Sequence, residues 1–482
     1  MPLPGITAAR IEELLPVRDP GVPTYRWLAD GLRLLIADGR IPLGHSLPAE
    51  RRLSEALHLS RTTVTRAYAV LTESGFLSAR QGSAHLANLP LDQHRRGVGG
   101  ALLPGADSDP DALDLTCAAS RAPAGTIEAY TAALAALPGY LTGTGYATAG
   151  LPELRELIAA RYGQRGLPTS ADQIVVVNGG LAGVNLAARA LIRAGDRVLV
   201  ESPSYPNSLQ AVRRSGGRLV PLPVEASGWD LELAESTIAA SKPTVAVLIP
   251  DFHNPTGNLL SDEHRSRLAA ALRRAGTVPI VDETMLEVRL DDAGHPLPFA
   301  AHLSRTVLVG SASKSHWGGL RIGWLRVPPG LRTRLAQLRL TEDLGAPLIE
   351  QLATIELLRQ RFTLHPERRA ELIAARQTMA ELLPTAVPGA RWVLPSGGLS
   401  LWVELPESAA TALARAAARD GLLLSPGSQF AAAGGLERFV RLPYKDPAPV
   451  VAEAMSRLGE AWRRRHEHAD PGVRSQPRPV VA

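Results

Sequence analysis

Two hydroxyls, a primary amine and a guanidinium occur close together in residues 306–327, which read TVLVGSASKSHWGGLRIGWLRV. A β-branched apolar run precedes them and a second apolar run follows, so we predict two strands that flank a short polar loop. The polar side chains of this stretch are those of Ser311, Ser313, Lys314 and Arg321.

This combination suits a cofactor that carries both an aldehyde and a phosphate. The amine of Lys314 would form an imine with the aldehyde, while the hydroxyls and Arg321 would hold the phosphate dianion. The chain has only three lysines, at positions 242, 314 and 445, and arginine cannot form a usable imine. A penicillin-binding hydrolase shares Ser-x-x-Lys but also needs Ser-Asp-Asn and Lys-Thr-Gly, which this sequence lacks. We therefore predict a pyridoxal phosphate site.

Length and composition indicate a globular protein with more than one domain. The 482 residues are 45% hydrophobic and 21% charged, and a formal net charge of +5 is mild for this length. The single cysteine, Cys117, excludes an internal disulfide and fits a reducing compartment. Residues 1–13 lack a signal-peptide pattern and no apolar run is long enough for a membrane span, so we expect a cytoplasmic location.

The first part of the chain predicts three helices followed by a small hairpin. Apolar residues recur at helical spacing in 25–36, and shorter helical patterns follow in 49–57 and 61–74. Residues 76–78 and 85–87 can pair as a β-wing. Three helices and a wing form a winged helix-turn-helix. The predicted buried side of the third helix consists of Val64, Ala67, Tyr68 and Leu71.

The polar residues left on the surface of this unit suggest a nucleic-acid partner. Helix N-termini and hydroxyls bind phosphate oxygens, and arginine can bind a phosphate or a guanine edge in the major groove. The alternative is a solvated charged face on a helical protein-interaction module. The predicted DNA-contacting residues are Arg51, Arg52, Arg61, Thr62, Thr63, Arg66 and Arg80.

The segment LPAERRLSEALHLSRTTVTRAYAVLTESGFLSARQGS resembles the winged-helix domain of GntR-type transcription regulators, and the similarity covers residues 25–87. The resemblance implies a DNA-binding domain over residues 21–88. It also implies DNA contacts by Arg51, Arg61, Thr62 and the wing residue Gly82.

Residues 89–112 have no apolar period and many prolines, glycines and aspartates, so we predict a flexible linker. From 113 to 462 apolar strands alternate with helical patterns, which predicts an α/β domain with a mostly parallel sheet and helices on both faces. Residues 463–482 are rich in arginine and proline and are predicted to be a disordered tail.

Polar residues follow several predicted strands of this large domain, where open α/β sheets bind ligands. A predicted strand at 174–177 leads into a glycine turn at 178–181, which precedes a helix and could hold a phosphate. Tyr205 offers a ring for stacking, although a core tyrosine is the simpler explanation. Asn254 can donate to a phenolic oxygen, and Asp282 placed against a pyridine nitrogen would keep that nitrogen protonated.

Together these motifs resemble the fold type I pyridoxal phosphate enzymes of the aspartate aminotransferase kind, with a smaller carboxy-terminal subdomain. The resemblance implies that Lys314 forms the imine, Asp282 binds the ring nitrogen, Asn254 binds the ring hydroxyl and Tyr205 stacks on the ring. It implies that Tyr146 reaches the phosphate of a neighbouring subunit in a homodimer, and that Arg441 binds a substrate α-carboxylate. The implied phosphate site consists of Gly180, Leu181, Ser311, Ser313 and Arg321.

A GntR head joined to an aminotransferase-like body is the pattern of the MocR group of regulators. We therefore expect a homodimeric regulator that binds a double-stranded DNA operator and senses an amino acid, an amine or pyridoxal phosphate itself. The alternatives are a working aminotransferase with an accessory DNA-binding head, and a scaffold without cofactor. Thr284 stands where the aminotransferase family has a tyrosine that bonds the ring oxygen, which argues against fast turnover more than against binding.

Overall fold

The computed structural model describes residues 5–79, 85–90, 112–119, 121–292 and 294–465. We call residues 5–90 the head and residues 112–465 the body. In the described part of the chain, no helix combines the length and the apolar character needed to cross a membrane. The head contains four helices and a two-stranded hairpin: α1 Ala8–Leu14, α2 Thr24–Ala37, α3 Glu50–Ala56, α4 Arg61–Glu73, β1 Leu77–Ala79 and β2 His85–Ala87.

The winged helix-turn-helix predicted from the sequence is confirmed, with an additional helix before it. The side chain of Ser60 caps α4 by accepting from the backbone N–H of Thr63. The predicted buried residues of α4 are all buried, because one apolar stripe faces α2 and α3. Helix α1 was not predicted; it packs Ile11 into the same core. The wing residues Arg80 and Gly82, and most of the predicted linker, lie outside the described residues.

The body is built on one eight-stranded sheet. Its strands are β4 Ile174–Val177, β5 Arg197–Ser202, β6 Arg218–Glu225, β7 Gly228–Trp229, β8 Val245–Leu248, β9 Val278–Asp282, β10 Val307–Ser311 and β11 Gly323–Arg326. Across the sheet they follow the order β4-β11-β10-β9-β8-β5-β6-β7. Neighbouring strands from β10 to β6 are parallel, while β11 runs antiparallel to both of its neighbours. These strands are mostly buried and rich in Val and Ile, as expected for a sheet covered on both faces.

Helices cover the sheet and a smaller subdomain completes the body. The helices up to this subdomain are α5 Thr126–Ala136, α6 Pro152–Gln164, α7 Gly180–Leu191, α8 Pro206–Arg214, α9 Leu231–Ser241, α10 Asp262–Ala275, α11 Phe299–His302, α12 Arg332–Leu340 and α13 Leu348–Gln360. The subdomain has the helices α14 Pro366–Ala386, α15 Ala410–Arg419 and α16 Ala448–Arg464. Its strands are β12 Ser400–Glu404, β13 Leu422–Leu423, β14 Ser425–Pro426 and β15 Phe439–Pro443, and β3 Leu113–Asp114 pairs with β13. The predicted fold class is therefore correct.

The head packs directly on the body through the end of α2. We call residues 431–438 the docking loop. The amide of Leu436 in this loop donates to the carbonyl of Ala37 at 2.8 Å, and Arg438 lies 3.6 Å from the carboxylate of Asp38. A second contact joins His45 Nε2 and Thr237 Oγ1 at 3.3 Å. The docking loop leads without a break into β15.

Gly435 should be essential for this contact. Its φ of +87° is a left-handed conformation, and a Cβ at this position would lie 2.2 Å from the carbonyl oxygen of Ala37. We expect Gly435→Ala to destabilise docking by roughly 1–3 kcal/mol, seen as faster amide hydrogen exchange at the end of α2. Gly276→Ala is the matched control, because its φ is +72° but its Cβ would meet no atom within 4 Å. Equal exchange in both variants would contradict the docking contact.

Candidate functional site

A cavity of about 580 Å³ opens at the carboxyl ends of the body strands. Most of the cofactor and effector residues predicted from the sequence line it, although they come from segments far apart in the chain. The predicted residues that share this cavity are Gly180, Leu181, Tyr205, Asn254, Asp282, Ser311, Ser313, Lys314, Arg321 and Arg441.

Lys314 lies just beyond β10, and its Nζ donates to the carbonyl oxygen of Ala118 at 2.6 Å. Burial lowers the pKa of Lys314 because the ammonium form loses its hydration. The charge of Arg441 lowers this pKa further, while Asp282 acts in the opposite direction. A larger neutral fraction of the amine makes Lys314 a better nucleophile toward an aldehyde.

Asp282 is the last residue of β9 and is buried. Its Oδ1 accepts from the backbone N–H of Thr284 at 2.9 Å. Burial raises the pKa of Asp282, and the hydrogen bonds from Thr284 oppose that rise. A cationic ring nitrogen against this carboxylate would favour its ionised form. Thr284 also packs on the glycine turn, since a Cβ at Gly180 would lie 2.6 Å from its Cγ2.

The two serines lie where β10 meets the polar loop. Ser311 pairs with Gly323 across the antiparallel β10–β11 ladder, and its Oγ accepts from the amide of Ser313 at 3.1 Å. The Oγ of Ser313 is buried and has no hydrogen-bond partner among the described residues. A buried hydroxyl without a partner is costly, so an anionic ligand here would satisfy it.

A guanidinium and a helix N-terminus complete this end of the cavity. Arg321 Nη2 donates to the carbonyl of Asn178 at 2.9 Å. Helix α7 begins at Gly180, so its first amide groups are free of intrahelical partners. Gly179 must be glycine, because its φ is +87° and a Cβ there would lie 2.6 Å from Nη2 of Arg321.

Arg441 and Asn254 lie together on the opposite wall. Arg441 is in β15, the central strand of its sheet, and its Nη1 donates to Asn254 Oδ1 at 3.2 Å. Its Nη2 donates to the carbonyl of Thr116, and its Nε has no hydrogen-bond partner among the residues described. Burial lowers the pKa of Arg441 to about 10. A carboxylate would replace lost hydration at this guanidinium.

Tyr205 immediately precedes α8 and is held in place by a side chain that the sequence analysis overlooked. The hydroxyl of Tyr205 accepts from Nδ2 of Asn207 at 3.0 Å, and burial raises the pKa of Tyr205. The stretch 116–119 also lines the cavity and includes Cys117. This stretch comes before the first helix of the body, and no sequence motif marks it.

Tyr146 is the one predicted cofactor residue that does not line the cavity. Its side chain lies in the loop between α5 and α6, and the residue is 69% exposed. Exposed apolar side chains lie in the nearby segments: Ile127, Leu134 and Leu141.

Of the predicted DNA-contacting residues that the structure describes, Arg51, Arg52, Arg61, Thr62 and Arg66 are exposed and Thr63 is half-buried. Arg51 and Arg61 have side chains that are 81% and 74% exposed, with carboxylates of Glu55 and Glu50 within 4.0 Å. Arg66 stacks over the ring of Tyr25 at 3.9 Å, which fixes its direction. Thr62 and Thr63 flank the capping hydroxyl of Ser60 at the start of α4, and Arg52 is exposed on α3.

The cavity fits pyridoxal phosphate on its own chemistry. A buried amine with a lowered pKa, a buried carboxylate, a serine hydroxyl without a partner among the described residues and a helix N-terminus line the same space. These groups match the aldehyde, the ring nitrogen and the phosphate of that cofactor.

Comparisons with known proteins support both parts of the chain. Residues 126–458 match the aminotransferase class I and II family, and residues 24–86 match the bacterial regulatory proteins of the gntR family. A 2-aminoadipate transaminase of Thermus thermophilus is 31% identical over 324 residues, which are 66% of this chain and 80% of that protein. The crystal structure of LysN from Thermus thermophilus, complexed with N-(5'-phosphopyridoxyl)-L-leucine, has a TM-score of 0.66 at 30% identity, over 72% of this chain and 92% of that one.

Other relatives are named as regulators. The probable rhizopine catabolism regulatory protein MocR of Rhizobium meliloti is 30% identical over 385 residues, 75% of this chain and 77% of that protein. The uncharacterized HTH-type transcriptional regulator YjiR of Escherichia coli is 26% identical over 474 residues, 92% and 99% of the two chains. With its cavity and its head, the chain belongs to the aminotransferase class I and II family and carries a GntR-type helix-turn-helix at its amino-terminal end.

Proposed function

We propose that the protein is a pyridoxal phosphate-dependent, DNA-binding transcriptional regulator that responds to an amino acid or amine. One observation carries the proposal: the docking loop that holds the head continues directly into β15, which carries Arg441. The proposed domains are the DNA-binding head at 21–88, the linker at 89–112, the cofactor domain at 113–462 and a tail at 463–482. Helix α1 extends the head core before residue 21.

Lys314 is the residue proposed to bind the cofactor covalently, through the amine whose pKa burial lowers. Pyridoxal phosphate, when bound, supplies an aldehyde that reacts with amines and a ring that withdraws electrons. Asp282 would hold the ring nitrogen, Asn254 the ring hydroxyl and Tyr205 the ring face. The phosphate would be bound by Gly180, Leu181, Ser311, Ser313 and Arg321.

Arg441 is the proposed binding residue for an effector carboxylate. It would exchange the carbonyl of Thr116 for the carboxylate, which gives a bidentate, charge-assisted pair. The head responds because the backbone of β15 is continuous with the docking loop. Effector binding would thus shift the equilibrium between docked and released heads.

A homodimer is proposed because Tyr146 is exposed and does not line its own cavity, and because Ile127, Leu134 and Leu141 are also exposed. An exposed apolar surface of this kind typically marks a contact between proteins. In a two-fold dimer the tyrosine would reach the phosphate of the partner. Two heads per dimer would then bind paired half-sites on DNA. The proposed location is the cytoplasm.

Sustained transamination is the second candidate, since the cavity has both the amine and the guanidinium that this reaction uses. Thr284 in the tyrosine position favours regulation instead. The two candidates differ in amino-group exchange between amino acids and 2-oxoacids, where turnover of about 1 s⁻¹ or more is typical of an enzyme.

The covalent assignment predicts that Lys314→Ala and Lys314→Arg both lose bound cofactor on dialysis. Arginine preserves the charge but cannot form the bond. Borohydride reduction followed by peptide mass spectrometry should place the pyridoxyl group on Lys314 in the natural sequence. Lys445→Ala is the control and should retain the cofactor. A pyridoxyl group that persists on the Lys314→Ala protein would refute this assignment.

The head assignment predicts that Arg61→Ala weakens binding to a fragment of its own promoter region by roughly tenfold or more, because a charged contact worth about 1–3 kcal/mol is lost. Fluorescence anisotropy at fixed salt measures the change. Arg33→Ala, a half-exposed arginine on α2, is the control and should bind normally. If both variants bind equally well, α4 is not the DNA-reading helix.

The dimer assignment predicts that Tyr146→Phe weakens cofactor binding about tenfold, since a hydrogen bond to a charged group contributes about 1.5 kcal/mol. Mixing this protein with Lys314→Ala under subunit exchange should restore tight binding. In a mixed dimer one cavity would have both substitutions, and the other would have the natural Lys314 of its own subunit and the natural Tyr146 of the other subunit. No recovery in the mixture, despite confirmed exchange, would place Tyr146 outside the partner's cavity.

A further inference from the structure

A second cavity, of about 360 Å³, lies at the junction of the head and the body. It is separate from the cofactor cavity, and the two share no lining residue. Three parts of the molecule form its walls. The head contributes Asp38, Gly39 and Arg40, the sheet contributes residues such as Pro203 and Val224, and the small subdomain contributes Trp392, Trp402, Glu404 and Phe439.

Its subdomain wall is aromatic and flat. The rings of Trp402 and Phe439 stack with centroids 5.3 Å apart and planes 2° apart. Trp392 adds a half-buried ring to the same lining. The volume is within the range of small-ligand sites, and such sites combine apolar walls with a few polar groups.

Asp38 is the polar group with unmet bonding capacity. Its side chain is 4% exposed, and its Oδ1 has no hydrogen-bond partner in the described part of the chain. The nearest guanidinium, that of Arg438, is 3.6 Å away and is closer to Glu404, at 3.1 Å. Burial raises the pKa of Asp38 to about 6, because the carboxylate loses hydration without a close partner.

Among the remaining charges of the lining Arg391 is exposed and the carboxylates are paired, so Oδ1 of Asp38 is the carboxylate oxygen without a hydrogen-bond partner in the described part of the chain. Arg40 lies 3.5 Å from Glu404, so two guanidiniums already face that carboxylate. Glu225 is paired with Arg10 at 3.2 Å. A cationic donor that enters the cavity would therefore find its strongest acceptor at Asp38.

We propose that this junction cavity is a binding site for a small primary amine with an apolar body. The ammonium group would donate to Asp38, and the apolar body would lie against Trp392, Trp402 and Phe439. Such a ligand contacts the head and the body at once. Its binding therefore favours the docked arrangement, and this effect grows as the free ligand concentration rises above the dissociation constant.

The test uses the full-length Lys314→Ala protein without cofactor, so that an amine cannot react at the cofactor cavity. Isothermal titration with 2-phenylethylamine should show one binding site, and 2-phenylethanol should bind at least tenfold more weakly because it lacks the positive charge. Equal affinity for the amine and the alcohol, or no binding of the amine, would overturn the proposal.

Two further changes in the same protein locate the site. Asp38→Asn should weaken amine binding at least tenfold, and Asp30→Asn, on the exposed side of the same helix, should leave it unchanged. Trp392→Ala should weaken binding of 2-phenylethylamine and serves if Asp38→Asn does not fold. Unchanged affinity in either folded variant would overturn the assignment. Because these titrations need neither cofactor nor DNA, they can fail while the proposed regulator function stands.

Discussion

The site depends on the desolvation of one amine and one carboxylate, which lie at the carboxyl ends of two interior strands of the body sheet. Lys314 and Asp282 end or follow neighbouring strands, β10 and β9, so the sheet fixes both groups in the same cavity. Burial disfavours the charged form of each, and it shifts the pKa of the amine down and that of the acid up. Bound pyridoxal phosphate would relieve both penalties, since Lys314 would hold its aldehyde carbon and Asp282 would face its cationic ring nitrogen.

The antiparallel strand β11 closes the end of this site that is proposed to bind the phosphate. Because β11 returns beside β10, the chain brings Arg321 back toward Ser311 and toward the glycine turn that follows β4. An eight-stranded sheet without this reversal would leave the guanidinium at the far edge. The small subdomain supplies the opposite wall, so the cavity lies between two units that each have a hydrophobic core of their own.

Much of this arrangement is predictable from sequence because polar motifs directly follow buried β-branched runs. Strand Ile174–Val177 has the predicted bounds, and the predicted motifs that follow the strands line one cavity. Other features depend on tertiary contacts that carry no local pattern. Helix Ala8–Leu14 has a single buried residue, Ile11, and hence no readable stripe. The stretch 116–119 and Asp38 have partners that lie hundreds of residues away in the chain, namely Arg441 and Arg438.

A small apolar cluster lies next to the docking loop of the body and bears on how such two-part chains evolved. Leu436, Phe430 and Trp402 form a small core of their own, and the docking loop connects it to the end of α2. A body that evolved alone would present this patch to water and would gain from polar residues there. Apolar residues at these few positions can therefore distinguish an aminotransferase-like chain whose ancestor had a DNA-binding head from one whose ancestors never had such a head.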